Sequence, residues 1–120
     1  MLSILLYGHD RAALGQQEAA LMEAGFKVAA VTTKRLAEKL ARRRHDAIIL
    51  GYSLQKTDRN QVAALFKQAN PHGCIVMTYA GSIDGAELAD AVLSFNVPAS
   101  DIVQALQHLF ERTPATQGGR

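Results

Sequence analysis

The sequence holds one cysteine, Cys74, among 120 residues. A single thiol excludes an internal disulfide and a cysteine-based zinc cluster. The four histidines, His9, His45, His72 and His108, have no metal-ligand spacing, so no metal is expected. No long apolar run follows a basic N-terminal segment. Leu2 to Leu6 is far too short for a signal or membrane helix. Charge of one sign is also scarce: a formal net charge of +2 does not by itself imply nucleic acid. Gly8 stands alone, so a glycine-rich phosphate loop is missing. There is no nucleophile–base pair either, and no enzymatic role or cofactor is expected. A cytoplasmic, non-membrane protein fits these absences.

What is present is an alternation of apolar patterns. At 48% hydrophobic residues the chain suits one globular domain, and its length needs no disulfide or metal to fold. Short apolar runs at Leu2–Tyr7, Phe26–Val31, Ala47–Leu50, Cys74–Tyr79 and Ala91–Phe95 read as strands buried on both faces. Amphipathic stretches lie between them. Asp10–Ala24 has Asp10 as N-cap, Gly25 as stop, and Leu14, Leu21 and Met22 inward. Thr33–Arg44 starts at a Thr cap and turns Leu36 and Leu40 inward. Asp58–Ala69 opens with a capping-box-like Asp58-x-x-Gln61. Ala99–Glu111 carries Ile102, Val103, Leu106, Leu109 and Phe110. Ser82–Asp90 reads as one or two helical turns.

Strands alternating with helices imply right-handed crossovers and a parallel sheet. The expectation is an α/β, flavodoxin-like doubly wound five-stranded sheet in the order 2-1-3-4-5, with a shortened fourth helix. The domain should cover residues 1–111, and residues 112–120 should form a flexible tail. Gly15 within the first helix is read as allowing close packing. Cys74 is read as a small buried hydrophobe.

Charge is unevenly placed. The second helix carries Lys34, Arg35, Lys39, Arg42, Arg43 and Arg44 against Glu38. Six cations and one anion leave that helix at +5 and the rest of the chain at −3. A solvated face is the plain reading. A docking site for an acidic protein or nucleic acid is the functional one. No aromatics interleave the cations, which disfavours base stacking.

From Leu2 to Phe110 the chain resembles a response-regulator receiver domain of bacterial two-component signalling. The resemblance is carried by Ile4-Leu5-Leu6-Tyr7-Gly8-His9-Asp10, by His45-Asp46-Ala47-Ile48-Ile49-Leu50-Gly51-Tyr52-Ser53-Leu54, by Ile75-Val76-Met77-Thr78-Tyr79-Ala80 and by Ala89-Asp90-Ala91-Val92-Leu93-Ser94-Phe95. Receivers use an acidic pair and a phosphoacceptor aspartate with Mg²⁺, plus a Ser or Thr and a Lys that contact the phosphoryl group. The resemblance places the acidic pair on Gly8 and His9 and the phosphoacceptor on Gly51. The hydroxyl position falls on Tyr79, with Thr78 one step away, and the lysine position on Phe95, with Pro98 displaced from the usual Pro. Gly51 has no side chain and no nucleophile. Asp10 and Asp58 read as caps, and Asp46 opens the third strand at the opposite end of the sheet.

The resemblance therefore implies a degenerate pseudo-receiver that lacks the phosphoacceptor. Its expected work is phosphorylation-independent binding of an unidentified regulatory protein, with a homodimer as a second arrangement. The surface would be the basic second helix or the rebuilt fourth-to-fifth-helix face. No output domain follows, so output is expected through a partner. Two alternatives stand beside this: a small-ligand sensor at the strand C-termini, with Tyr and His contacts, and nucleic-acid binding through the basic helix. Tyr7, Tyr52, Tyr79 and Phe95 are read as rings that fill the space of the lost acidic cluster. His9 is read as an exposed loop histidine, with a ligand contact as the alternative.

Overall fold

Side chains alternate between the two faces of a strand, so a strand covered on both sides must be apolar at every position. Ala47–Leu50 meets that demand with four buried residues in a row, and it forms the central strand. The computed structural model describes residues 1–81 and 85–118, with the backbone alone described from residue 112. Strands β1 (Ser3–Tyr7), β2 (Lys27–Val31), β3 (Ala47–Leu50), β4 (Cys74–Tyr79) and β5 (Ala91–Ser94) alternate with helices α1 (Arg11–Glu23), α2 (Lys34–Ala41), α3 (Lys56–Ala69) and α4 (Ala99–Gly118). All pairings are parallel, in the order β2-β1-β3-β4-β5. This is the doubly wound sheet expected from the sequence.

The period of two divides the core. Leu5, Tyr7, Ile48, Leu50, Ile75 and Met77 face α2 and α3 and pack with Ala37, Val62 and Phe66. Ile4, Leu6, Ile49 and Val76 face the other way, onto Leu14 and Leu21 of α1 and Ile102 and Leu106 of α4. A register slip of one residue would exchange the two sets.

Local signals set the helix ends. Asp10 caps α1 by accepting the Ala13 amide at 3.1 Å. The same helix stops at Gly25, whose φ of 98° is in the left-handed region that glycine adopts freely. There the Gly25 amide donates to the Met22 carbonyl and the Phe26 amide to the Leu21 carbonyl, each at 3.0 Å, which is a Schellman stop. Thr33 caps α2 by accepting the Leu36 amide at 3.4 Å.

Four details differ from the sequence reading. Met22 and Leu36 point to solvent, at 59% and 43% exposure. Successive helical residues lie about 100° apart, so burying Leu21 swings Met22 outward and burying Ala37 swings Leu36 outward. Helix α3 begins at Lys56, with Gln55 as N-cap and no side-chain cap. Asp58 then sits inside the first turn and pairs with Lys34 Nζ at 3.3 Å. Gly15 meets no atom within 4 Å of an added Cβ, so close packing is not its role.

Between β4 and β5 the described residues 85–90 form a turn, with the Ala89 amide on the Ala86 carbonyl at 3.0 Å, and no helix. Ala86 and Ala89 pack on the core there. The rest of the expected short helix, Ser82–Asp84, lies outside the described residues. The backbone of α4 is helical through Gly118, and the side chains of the expected tail lie outside the described residues. Among the described residues no helix is long and apolar enough to cross a membrane.

Candidate functional site

Parallel strands deliver their C-terminal residues to one edge, and doubly wound folds use that edge for ligands. Gly8 and His9 follow β1, Gly51 follows β3, Tyr79 ends β4 and Phe95 follows β5. The two glycine backbones meet. A Cβ built on Gly51 would lie 3.4 Å from Gly8 Cα and from the Tyr7 carbonyl oxygen. The Gly51 amide donates to that same carbonyl at 2.8 Å. Because Leu50 pairs with Met77, Gly51 is level with Thr78. Thr78, 2% exposed, therefore lines the space beside Gly51, while half-buried Tyr79 does not. Thr78, one step from the Tyr79 named from sequence, is thus the β4 hydroxyl nearest Gly51 in register.

The space left at Gly51 is small. Its volume is about 10 Å³, lined by Gly8, Asp10, Leu14, Tyr52 and Thr78 among others. That is at the lower bound for one water and far below a ligand pocket. Tyr52 roofs it. Its hydroxyl donates to Asp10 Oδ2 at 2.6 Å, and its ring rests on Phe95 with centroids 4.9 Å apart. His9 is tethered rather than free: Ser53 Oγ accepts its amide at 2.9 Å, and Nδ1 donates to the Thr32 carbonyl at 2.9 Å. Of the four expected rings, Tyr52 and Phe95 meet. Tyr7 turns into the α2–α3 core, edge-on to His9. Its hydroxyl has no hydrogen-bond partner among the described residues, and burial, with Asp58 and Glu38 nearby, pushes its pKa up and keeps it a neutral phenol.

A hard dication needs several oxygen ligands, chiefly carboxylates. Gly8, His9 and Gly51 supply none, and the Asp10 carboxylate is engaged by Tyr52 and Ala13. Among the described residues no group of three or more His, Cys, Asp or Glu side chains could hold a metal ion. The donor set does not fit Mg²⁺.

The Tyr52 bond, then the Ala13 amide, hold the Asp10 carboxyl below the ordinary aspartate range. The same bond pushes Tyr52 up. A lowered folded pKa gives stabilisation that is full above the ordinary value of about 4 and is lost as pH falls through the folded one. In a carboxyl NMR titration Asp10 should therefore titrate below the ordinary aspartate value, and Tyr52→Phe should move it up toward that value. An unmoved Asp10 would remove the Tyr52 contact from this account.

The opposite sheet edge is structural. Asp46 Oδ2 accepts the Ser3 amide at 2.7 Å, and Asp90 Oδ2 accepts the Ile75 amide at 2.7 Å. A cavity of about 510 Å³ there is lined by Leu2, His45, Asn70, Cys74 and Phe110 among others. Two of its polar side chains are engaged: His45 bonds the Leu40 carbonyl and Ser3 Oγ, each at 3.0 Å, and Asn70 bonds the His45 amide and the Arg43 carbonyl, each at 2.9 Å, while Arg44, Asp46 and His72 line it as well. Burial pushes the Cys74 thiol up, so it is no ready thiolate.

The expected second helix ends at Ala41 rather than Arg44, so Lys34, Arg35 and Lys39 lie on α2 and Arg42, Arg43 and Arg44 at and past its C-cap, and together they form a separate surface. Lys34 is occupied by Asp58. Arg35, Lys39, Arg42, Arg43 and Arg44 are exposed and make no salt bridge among the described residues.

No family model matches the sequence, and no curated protein matches it. Solved structures do resemble it. A CheY-like response regulator receiver domain protein from Methanospirillum hungatei JF-1 is 16% identical, with a TM-score of 0.81 over 94% of this chain and 97% of that one. A response regulator receiver protein from Sinorhizobium medicae WSM419 is 21% identical, with a TM-score of 0.80 over 92% and 94%. The Thermotoga maritima response regulator TrrA, in complex with Mg²⁺ and BeF, is 17% identical, with a TM-score of 0.77 over 91% and 99%. Strand order, helix placement and these likenesses agree, and the chain has the fold of the response-regulator receiver domains.

Proposed function

We propose that this protein is a pseudo-receiver: it serves two-component-type signal transduction in the cytoplasm by binding a regulatory protein, without being phosphorylated. One observation carries the reading. The residue that ends the central strand at the carboxyl edge is Gly51, packed backbone to backbone against Gly8. Phosphoryl transfer to a receiver needs a carboxylate nucleophile, a metal held by carboxylates and a nearby cation. Gly51, Gly8, His9 and Phe95 offer none of these, and the phosphoryl-contacting type of side chain that remains beside Gly51 is a hydroxyl, on Thr78 and Ser53. The small space beside Gly51 weighs against a small-ligand sensor at this edge, since about 10 Å³ admits no metabolite.

The test is intact mass after incubation with acetyl phosphate and Mg²⁺. The expected result is an unmodified chain under conditions that load an ordinary receiver. A stoichiometric phosphoryl adduct would overturn the proposal.

A further inference from the structure

On a helix surface an anion three or four residues from a cation can pair with it. Between Lys34 and Arg44 a single anion, Glu38, stands at that spacing from Lys34, Arg35 and Arg42, so the cations outnumber it. The buried side of α2 is Ala37 and Ala41, and Lys39 lies diametrically opposite at 100° per residue. Arg35, Lys39 and Arg42 follow one another at intervals of four and three residues, so they form a single stripe about 10 Å long. Arg43 and Arg44 lie past the end of the helix. Glu38 is the helix's only anion and lies on the other flank of the stripe.

Leu36 is the second, independent feature. It is a large apolar side chain at 43% exposure beside three exposed cations. Two shallow clefts share it. One, of about 420 Å³, runs along α2 past Arg35, Lys39 and Arg42. The other, of about 350 Å³, lies against Arg11, Gly15 and the end of β2. Leu36 is the ridge between them.

We propose that this face of α2 docks an acidic segment of a partner protein, whose carboxylates meet Arg35, Lys39 and Arg42 while an apolar side chain covers Leu36. This rests on the protein-binding reading above and names the surface and the chemistry of the partner. Charge complementarity selects the occupant: five cations with no salt bridge among the described residues, on a chain whose other residues sum to a net negative charge, attract an anionic partner and repel a second basic helix. Leu36 selects a protein rather than a nucleic acid. A phosphate backbone makes no use of an aliphatic ridge, and the stripe has no aromatic ring on which a base could stack. A helix-in-groove or extended acidic peptide uses both features at once.

The probe is a fluorescein-labelled acidic peptide with Glu at i, i+4 and i+7 and one Leu between them, measured by anisotropy at about 0.1 M salt. Controls are the same peptide with Gln for Glu, the same peptide with Ser for Leu, and a 12-nucleotide single-stranded RNA. Arg35→Glu/Lys39→Glu/Arg42→Glu should weaken the acidic peptide at least tenfold. Leu36→Ser should weaken it severalfold, and should leave the Leu-to-Ser peptide unaffected. These side chains are exposed, and circular dichroism checks that the variants fold. Binding of the RNA more tightly than the peptide, indifference to Leu36, or no peptide binding would each overturn the proposal. Loss on Val92→Glu instead would also reject this surface while leaving a protein-binding pseudo-receiver intact. The phosphodonor experiment fails or succeeds independently of all these arms.

Discussion

Gly51→Asp is expected to restore a carboxylate at the end of β3 without restoring phosphorylation, and to destabilise the protein by about 1–3 kcal/mol. The Cβ itself fits. Its nearest neighbours are Gly8 Cα and the Tyr7 carbonyl at 3.4 Å and Ser53 Oγ at 4.0 Å, which need only a small adjustment. The carboxylate beyond it is the difficulty. It enters about 10 Å³ of space roofed by Tyr52 and walled by Leu14, with the Asp10 carboxylate close by. Burial and a like charge both disfavour its ionised form. No cation offsets it: Phe95 stands at the position the resemblance assigns to lysine, and Lys34 is paired with Asp58. The side-chain donors that line the space are Thr78, Ser53, Gln17 and Tyr52, of which Ser53 accepts the His9 amide and Tyr52 already donates to Asp10. A single nucleophile therefore lacks its metal, its cation and its room. Urea unfolding reads the stability change, and intact mass with acetyl phosphate and Mg²⁺ reads the chemistry. An adduct approaching one per chain would mean that the missing carboxylate was the whole defect.

Replacing the Phe66 ring should have the largest effect on folding. Phe66 is completely buried on α3, in the cluster with Leu50, Ile75 and Met77. Phe66→Ala removes a whole ring and leaves a cavity, a change worth about 3–5 kcal/mol. The structure adds a coupling that the sequence does not announce. A Cβ on Gly73 would lie 2.6 Å from Phe66 Cζ and 2.8 Å from Cε2, closer than real contacts allow. The ring is hemmed in and cannot swing aside, so Gly73→Ala alone should cost about 1–3 kcal/mol by overpacking. In the Phe66→Ala background the new methyl enters the cavity instead. Only the Asn70 Cβ contact at 3.1 Å then remains tight. The second substitution should be nearly free there, giving a coupling of about 1–2 kcal/mol in a double-mutant cycle. Additive losses in urea unfolding would show that the ring does not hold Gly73 to glycine.

The strands were legible because a strand covered on both faces advertises itself by unbroken apolar content. Ala47–Leu50 and Cys74–Tyr79 coincide with the runs read from sequence. Caps were legible where the side-chain oxygen acts within its own turn, as at Asp10 and Thr33. The start of α3 was misplaced, because Asp58 serves α2 through Lys34 rather than its own N-terminus. Local pattern cannot register a partner 24 positions away.

The sequence by itself determined the doubly wound sheet and the lack of a carboxylate at Gly8, His9 and Gly51, since both follow from residue type and the period of two. It also determined that the cations concentrate between Lys34 and Arg44. Tertiary structure alone decided that Thr78 rather than Tyr79 stands beside Gly51, that Tyr52 closes over that position to reach Asp10, and that Leu36 is left exposed among the α2 cations. Strand register, a hydrogen bond across 42 residues and the rotation of a helix on its sheet are long-range outcomes. They are set by how whole faces pack, and no local window of residues encodes them.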